Sequence, residues 1–208
     1  LFLKERGYKV TGSDRILSPL AHQLIDQGIT IYTGHDAKNV TNADIIVRSS
    51  AVPLDNVEVQ AGFEQGIPVL KRSDFLSELM AGSFGIAVAG THGKTTTTAM
   101  IAWILTRIGQ DPSYIIGGVS KDLGNNAHAG KGEHFVIEAD EYDYMFLGLS
   151  PQMIVLTNIE HDHPDCFPTP EDYIEAFCQF FNRLQYGGVL LACADDFAAV
   201  RLVNMPHR

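Results

Sequence analysis

Apolar positions along the chain follow two alternating rhythms. Short runs rich in β-branched residues predict strands: "YKVTGSD", "ITIYTG", "ADIIVRSSAV", "IPVLKR", "GIAVAG", "HFVIEAD", "MIVLTNIE" and "GGVLLACAD". Between them, apolar residues at helical spacing predict helices in "SPLAHQLIDQG", "NVEVQAGFEQG", "SDFLSELMAG", "KTTTTAMIAWILTRIG" and "PEDYIEAFCQFFNRL". Two helix starts are punctuated. Ser18 before Pro19 and Thr169 before Pro170 each put a capping hydroxyl ahead of a proline that suits the first helical turn. The opening "LFLKERG" reads as a helix end closed by Gly7. Strands alternating with helices belong to α/β architectures with mainly parallel sheets.

The alternation divides at "GSFG", residues 82–85. Residues 1–84 read as a Rossmann-like, doubly wound domain whose first strand and glycine-rich turn are missing. Residues 85–208 read as a second α/β domain, opened by the strand "GIAVAG". The chain starts at Leu1 and ends in "VNMPHR" with no evident closing element, so it reads as a piece of a longer protein.

Composition narrows the function classes. Of 208 residues, 45% are hydrophobic and 19% charged, a soluble globular balance. Net charge is −10 and no basic run exceeds Lys71-Arg72, which argues against a nucleic-acid partner. The longest apolar runs are strand-sized, which argues against membrane insertion. Cys166, Cys178 and Cys193 are an odd number without framework spacing, as expected for reduced thiols in a cytoplasmic protein.

The candidate chemistry starts at "GTHGKTTT", residues 90–97. A general phosphate-binding loop, G-x-x-x-x-G-K-[ST], would put glycine at position 88, where the chain has Val88. The context is nevertheless right: strand, glycine turn, Gly93-Lys94-Thr95, helix. Backbone N–H groups and the helix dipole there favour an anion, Lys94 can reach β and γ phosphates, and Thr95 can offer its hydroxyl to Mg²⁺. Mg²⁺ prefers oxygen ligands. Carboxylates gather at two strand ends, in "FVIEADEYD" (Glu138, Asp140, Glu141, Asp143) and in "IVLTNIEHDHPDCF" (Glu160, Asp162, Asp165). Glu138 ends a strongly apolar run and so belongs at the sheet rim. A rival reading takes His161, His163, Asp165 and Cys166 as zinc ligands of a hydrolase; its further histidine could only be His207.

Taken together, these segments resemble the Mur ligase family, amide ligases that build peptidoglycan precursors. The family loop, G-T-[HN]-G-K-[TS], opens at a glycine matching Gly90, which accounts for Val88. The resemblance runs through "GSD" (12–14), "VRSSAV" (47–52), "GIPVLKRSDFLSELM" (66–80), "EADEYD" (138–143), "TNIEHDHPDCF" (157–167) and "YGGVLLACADD" (186–196). It implies a UDP-binding domain over residues 1–84, a central P-loop ATP-binding ligase domain over 85–208, and a C-terminal domain after Arg208. It implies ATP and Mg²⁺ as cofactors, with Gly90, Thr91, His92, Gly93, Lys94, Thr95 and Thr96 around the ATP phosphates. Thr95, Glu138 and His163 would hold metal, and Lys94, Glu138 and His163 would carry catalysis. Asp14, His35 and Ser49 would contact the UDP substrate.

Within the family, the resemblance is to the branch that joins L-alanine to UDP-N-acetylmuramate through an acyl phosphate. Several other branches hold metal with a carbamylated lysine; here no lysine follows Lys131, and Cys178 stands near the matching place. Tyr142 and Tyr144 stand where many members of the alanine branch have Ser and Ala; they resemble the murein-tripeptide recycling branch, though surface variation is the simpler account. A non-catalytic nucleotide-binding module is the other alternative. An exposed loop lysine contributes little packing, so replacing Lys94 is expected to spare the fold.

Overall fold

The structure, a computed structural model, describes residues 1–205. It divides into two compact units, Leu1–Phe75 and Leu76–Arg208. In the first, α1 (Phe2–Glu5) leads through Gly7, at φ 86°, into β1 (Thr11–Asp14), α2 (Pro19–Asp26) and β2 (Thr30–Thr33). A 3₁₀ turn (Ala37–Val40), β3 (Ile46–Arg48), α3 (Val57–Glu64) and β4 (Val69–Lys71) follow, and α4 (Arg72–Met80) runs across the division. Of the two caps in this unit, Ser18 is the one expected from the sequence and Asn56 is added by the structure. Ser18 Oγ accepts from the Ala21 N–H at 3.2 Å, and Asn56 caps α3 by accepting from the Glu58 N–H at 2.9 Å.

Sheet assembly departs from expectation in this unit. β1 pairs in parallel with β2, and β3 in parallel with β4, but the two pairs are separate sheets. In a doubly wound order the opening strand lies between the second and the fourth. β1 and β3, which such an order would bring together around one strand, are not paired with each other. β3 is also shorter than its sequence run, because the chain turns at Ser49, whose carbonyl accepts from the Val52 N–H at 3.0 Å.

The second unit holds β5 (Phe84–Ala89), α5 (Lys94–Arg107), β6 (Ser113–Ile115), β7 (Ala127–His128) and β8 (His134–Glu138). A 3₁₀ segment (Tyr142–Gly148), β9 (Met153–Leu156), α6 (Pro170–Phe181), β10 (Val189–Ala192) and α7 (Phe197–Val203) complete it. α7, which the sequence pattern did not predict, precedes the terminal stretch; Asp196 caps it by accepting from the Ala199 N–H at 2.7 Å. The six strands form one sheet in the order β10-β9-β5-β8-β6-β7, parallel except for the antiparallel β6–β7 edge.

Two apolar layers hold this sheet. Ile86 and Val136 pack with Ala102 of α5 and with Tyr114 and Ile116. The α6 stripe of Tyr173, Phe177, Phe180 and Phe181 meets Phe146 and Phe167, with Phe146 and Phe180 stacked at 4.6 Å. β5 lies between β8 and β9, and its register sets Val88 beside Glu138 and Ala89 beside Leu156. Three strands therefore end on one rim. From β5 the chain fills the β8 side first and then returns to the β9 side, which makes this rim a topological switch point, where open α/β sheets bind ligands. Among the described residues, no helix is long and apolar enough to cross a membrane.

Candidate functional site

The loop between β5 and α5 is built on two glycines with positive φ, Gly90 at 127° and Gly93 at 81°. At Gly90 a Cβ would overlap Thr157 Oγ1 and lie 2.8 Å from the Asn158 carbonyl, so only glycine fits against the strand-end segment after β9. That segment fixes the loop. Thr91 N–H donates to the Asn158 carbonyl at 3.0 Å and His92 N–H to Asn158 Oδ1 at 2.9 Å. In return, Asn158 Nδ2 and Thr157 Oγ1 donate to the His92 carbonyl at 2.9 and 2.6 Å. The His92 ring is exposed, 3.6 Å from the Glu160 carboxylate. The N-terminus of α5 starts directly after Gly93, so its first N–H groups lack intrahelical partners and its dipole favours an anion.

Lys94 is not the exposed side chain the sequence suggests. Its side chain is only 13% exposed, and Nζ lies 3.0 and 2.9 Å from the two carboxylate oxygens of Glu141, a residue with no exposure at all. Nζ also donates to the carbonyls of Gly90 at 2.7 Å and Thr91 at 3.1 Å. The buried Tyr173 hydroxyl donates to Glu141 Oε1 at 3.1 Å and sits 3.0 Å from Thr91 Oγ1. Burial, reinforced by the Glu141 charge, pushes the Tyr173 phenol well above its ordinary range. The expectation that replacing Lys94 would spare the fold is therefore corrected, because the replacement would leave a sealed carboxylate without its cation.

Thr95 Oγ1 donates to Glu138 Oε1 at 2.9 Å, and the Gly117 N–H donates to Oε2 at 2.7 Å. A Cβ on Gly117 would stand 2.6 Å from that oxygen, so the glycine permits the close approach. A hydroxyl and a carboxylate side by side at the α5 N-terminus are the oxygen donors a hard cation takes. His163, at φ 54°, is half-exposed; its Nε2 lies 3.8 Å from both Glu141 Oε1 and Asp162 Oδ2. Tyr142 stacks edgewise on the His163 ring at 5.1 Å and donates to Asp165 at 3.0 Å, while Tyr144 meets Phe167 at 5.1 Å. Both tyrosines stay partly exposed at the rim while making these contacts. His161 is turned away, with Nε2 2.7 Å from the Phe167 carbonyl.

In the first unit, Asp14, His35 and Ser49, with Arg15 and Arg48, border the open space of about 760 Å³ between β1 and β3, two strands that are not paired with each other. Glu58 organises its wall. It accepts from Ser13 Oγ at 2.5 Å, Asn39 Nδ2 at 2.7 Å and the Asp36 N–H at 3.4 Å, and its Oε2 lies 3.1 Å from His35 Nδ1. Burial raises its pKa, but these donors together outweigh burial and hold the carboxyl below its ordinary value.

Two family models match the sequence: "Mur ligase family, catalytic domain" over residues 1–84 and "Mur ligase middle domain" over residues 88–207. The chain belongs to the Mur ligase family. Among its curated relatives, the UDP-N-acetylmuramate–L-alanine ligases of Rubrobacter xylanophilus and Geobacter sp. strain M21 are 43% and 48% identical to it, over 98% and 91% of this chain and 45% and 41% of theirs. The chain thus spans less than half the length of these relatives. Among solved structures, the UDP-N-acetylmuramate:L-alanyl-γ-D-glutamyl-meso-diaminopimelate ligase of Neisseria superposes with TM-score 0.87 at 30% identity, covering 98% of this chain and 69% of that one. The UDP-N-acetylmuramate-alanine ligase of Thermotoga maritima superposes with TM-score 0.82 at 29% identity, covering 97% and 47%. Family membership overturns the zinc-hydrolase reading; its remaining candidate, His207, lies outside the described residues.

In this Mur ligase the rim brings Gly90 to Thr96 beside Glu138 on one flank and beside His163, through Glu141, on the other. Sequence reasoning missed the structural weight of Glu141, Tyr173, Thr157 and Asn158. Only Tyr173 left a signal: it heads the apolar stripe of α6, and a buried tyrosine needs a partner for its hydroxyl.

Proposed function

We propose that this chain forms the UDP-binding and P-loop ATP-binding parts of a Mur ligase that joins L-alanine to UDP-N-acetylmuramate. Residues 1–84 would be the Rossmann-like substrate domain and residues 85–208 the nucleotide domain, a boundary that falls just after α4, the helix within which the two compact units divide. The observation that carries the reading is the Gly90–Thr95 loop. It sits at the switch point of a parallel sheet, at a helix N-terminus, with Lys94 and the Thr95–Glu138 pair directed to the same rim. The L-alanine branch is supported by relatives of that name at 43–48% identity.

In the reaction, a carboxylate oxygen of the substrate attacks the γ phosphorus of ATP. The bond from that phosphorus to the β–γ bridging oxygen breaks, and ADP leaves. The amine of L-alanine then attacks the acyl carbon, phosphate departs with the C–O bonding electrons, and the amine loses a proton. The chain's own work is binding and charge balance. With the Thr91 and His92 N–H groups taken by Asn158, the N–H groups at the N-terminus of α5 bind the phosphate oxygens, and Lys94 neutralises charge on the transferred group. When bound, Mg²⁺ supplies further neutralisation of phosphate charge. Thr95 and Glu138 are the hard oxygen donors that would hold it, with His163 as the other candidate; Mg²⁺ needs few protein ligands because phosphate and water complete its shell. Asp14, His35 and Ser49 would meet the UDP moiety in the first unit.

Calorimetry with a non-hydrolysable ATP analogue and Mg²⁺ tests the nucleotide domain in this chain; failure to bind sinks the reading. For the whole protein, UDP-N-acetylmuramate and ATP are supplied with either L-alanine or the tripeptide L-alanyl-γ-D-glutamyl-meso-diaminopimelate. Mass spectrometry is expected to show the alanine adduct. A tripeptide adduct alone would favour the recycling branch, the second reading that Tyr142 and Tyr144 support.

A further inference from the structure

We propose that Glu141 is the positioning residue for Lys94: a sealed carboxylate that keeps the loop lysine seated while its bonds to loop carbonyls are exchanged for nucleotide phosphate. The proposal rests on the ATP reading of the loop given above.

An ammonium has three N–H donors. In this structure the carbonyls of Gly90 and Thr91 and the carboxylate of Glu141 occupy them. A phosphate oxygen can therefore be bound by Lys94 only if one of these partners is released. The three are not equal. The two carbonyls are neutral acceptors on a glycine-hinged loop, and each retains a second lone pair when the lysine leaves. Glu141 is charged and has no solvent exposure. Tyr173 donates to Oε1, and His163 Nε2 lies 3.8 Å from that oxygen, but Oε2 receives no hydrogen bond among the described residues; Lys94, 2.9 Å from Oε2, is the nearer cationic group. Losing Lys94 would strand a buried charge, one of the costliest changes a folded chain can make. Exchange is thus directed to the carbonyls, and the carboxylate fixes where the ammonium stays. Glu141 acts through Lys94 and needs no contact with the nucleotide.

The experiment uses Glu141→Gln, Lys94→Met and the double variant of this chain. Without nucleotide, acylation of Lys94 by an amine-reactive ester is followed by peptide mass spectrometry, with Lys121 as internal reference. Lys94 is expected to react about tenfold faster in Glu141→Gln than in the wild-type chain, the factor that corresponds to losing one charge-assisted bond. Affinity for ATP with Mg²⁺ is expected to fall about tenfold in Glu141→Gln, and to change less than about twofold when the same substitution is made on Lys94→Met. Unchanged labelling overturns the proposal. So does unweakened ATP binding in Glu141→Gln, or an equal loss when Lys94 is already gone. If the wild-type chain binds no ATP, the ATP reading falls, and the labelling still decides whether Glu141 anchors Lys94. Should Glu141→Gln fail to fold, Glu141→Asp retains the charge but withdraws it by one methylene. It is expected to raise Lys94 labelling in the same direction, and labelling equal to wild type would again refute the anchor.

Discussion

A lysine beside a fully buried glutamate sets the energetics of the loop. Removing one partner of a buried ion pair costs about 3–5 kcal/mol, because the other charge is left unpaired. Lys94→Ala is therefore expected to destabilise the second unit by an amount of that order as well as to abolish phosphate transfer. Adding Glu141→Gln to it should restore most of the stability and none of the transfer. Urea unfolding of the single and double variants, run beside an ADP-release assay on the whole protein, checks both halves; equal stability of Lys94→Ala and wild type would contradict the buried pair. Gly90 makes a second residue-scale case. An alanine there must adopt φ 127° and overlap Thr157. Strained backbone alone costs about 1–3 kcal/mol, so Gly90→Ala should lose both stability and ATP affinity, measured by melting and calorimetry. Gly90, Lys94 and Thr95 were legible because glycine and Gly-Lys-Thr are informative in sequence. That Glu141 and Tyr173 meet the loop was not, because a contact spanning 47 or 82 positions leaves no trace of its pairing in the local sequence.

At the level of elements, helix starts were the clearest text. Thr169 Oγ1 accepts from the Asp172 N–H at 3.2 Å, and the Asp172 carboxylate accepts from the Thr169 N–H at 3.1 Å, a reciprocal cap on α6. That helix carries the aromatic layer and delivers Tyr173 to the loop. Thr169→Ala is expected to cost about 1 kcal/mol, read by urea unfolding. The loss should be smaller in Thr169→Asn, which still caps. The β6–β7 edge was not legible. "IIGGVSKDLGNNAHAGKG" reads as glycine-rich loop, yet Ile116 N–H reaches the Asn126 carbonyl at 2.8 Å and closes a short antiparallel edge. Its glycines serve packing: Gly117 admits the Glu138 carboxylate, and a Cβ on Gly130 would overlap the Asp111 carbonyl. Strand order in the first unit was equally hidden, since periodicity identifies strands but not their neighbours.

Across the whole molecule, the two units carry opposite titration signatures, and these give a test that treats each unit separately. In the first, Glu58 has a folded pKa below its ordinary value of 4.5. A depressed carboxylate contributes stability that is present above its unfolded pKa and is lost as pH falls through the folded one. In the second, Tyr173 is raised from its ordinary value of 10.0, chiefly by burial. A raised phenol contributes nothing to pH dependence below its unfolded pKa, and stability falls as pH rises beyond that value, because the unfolded chain then releases a proton the folded chain retains. Hydrogen exchange followed by peptide across both limits should therefore show acid-side opening of 11–15 and 56–59 that flattens in Glu58→Gln. It should also show alkaline opening of 90–95 and 170–181 that flattens in Tyr173→Phe. Each substitution should leave the other unit's profile in place. A Glu58→Gln chain whose first unit still opens along the wild-type acid curve would mean that the Ser13, Asn39 and His35 donors do not hold that carboxylate in the folded state.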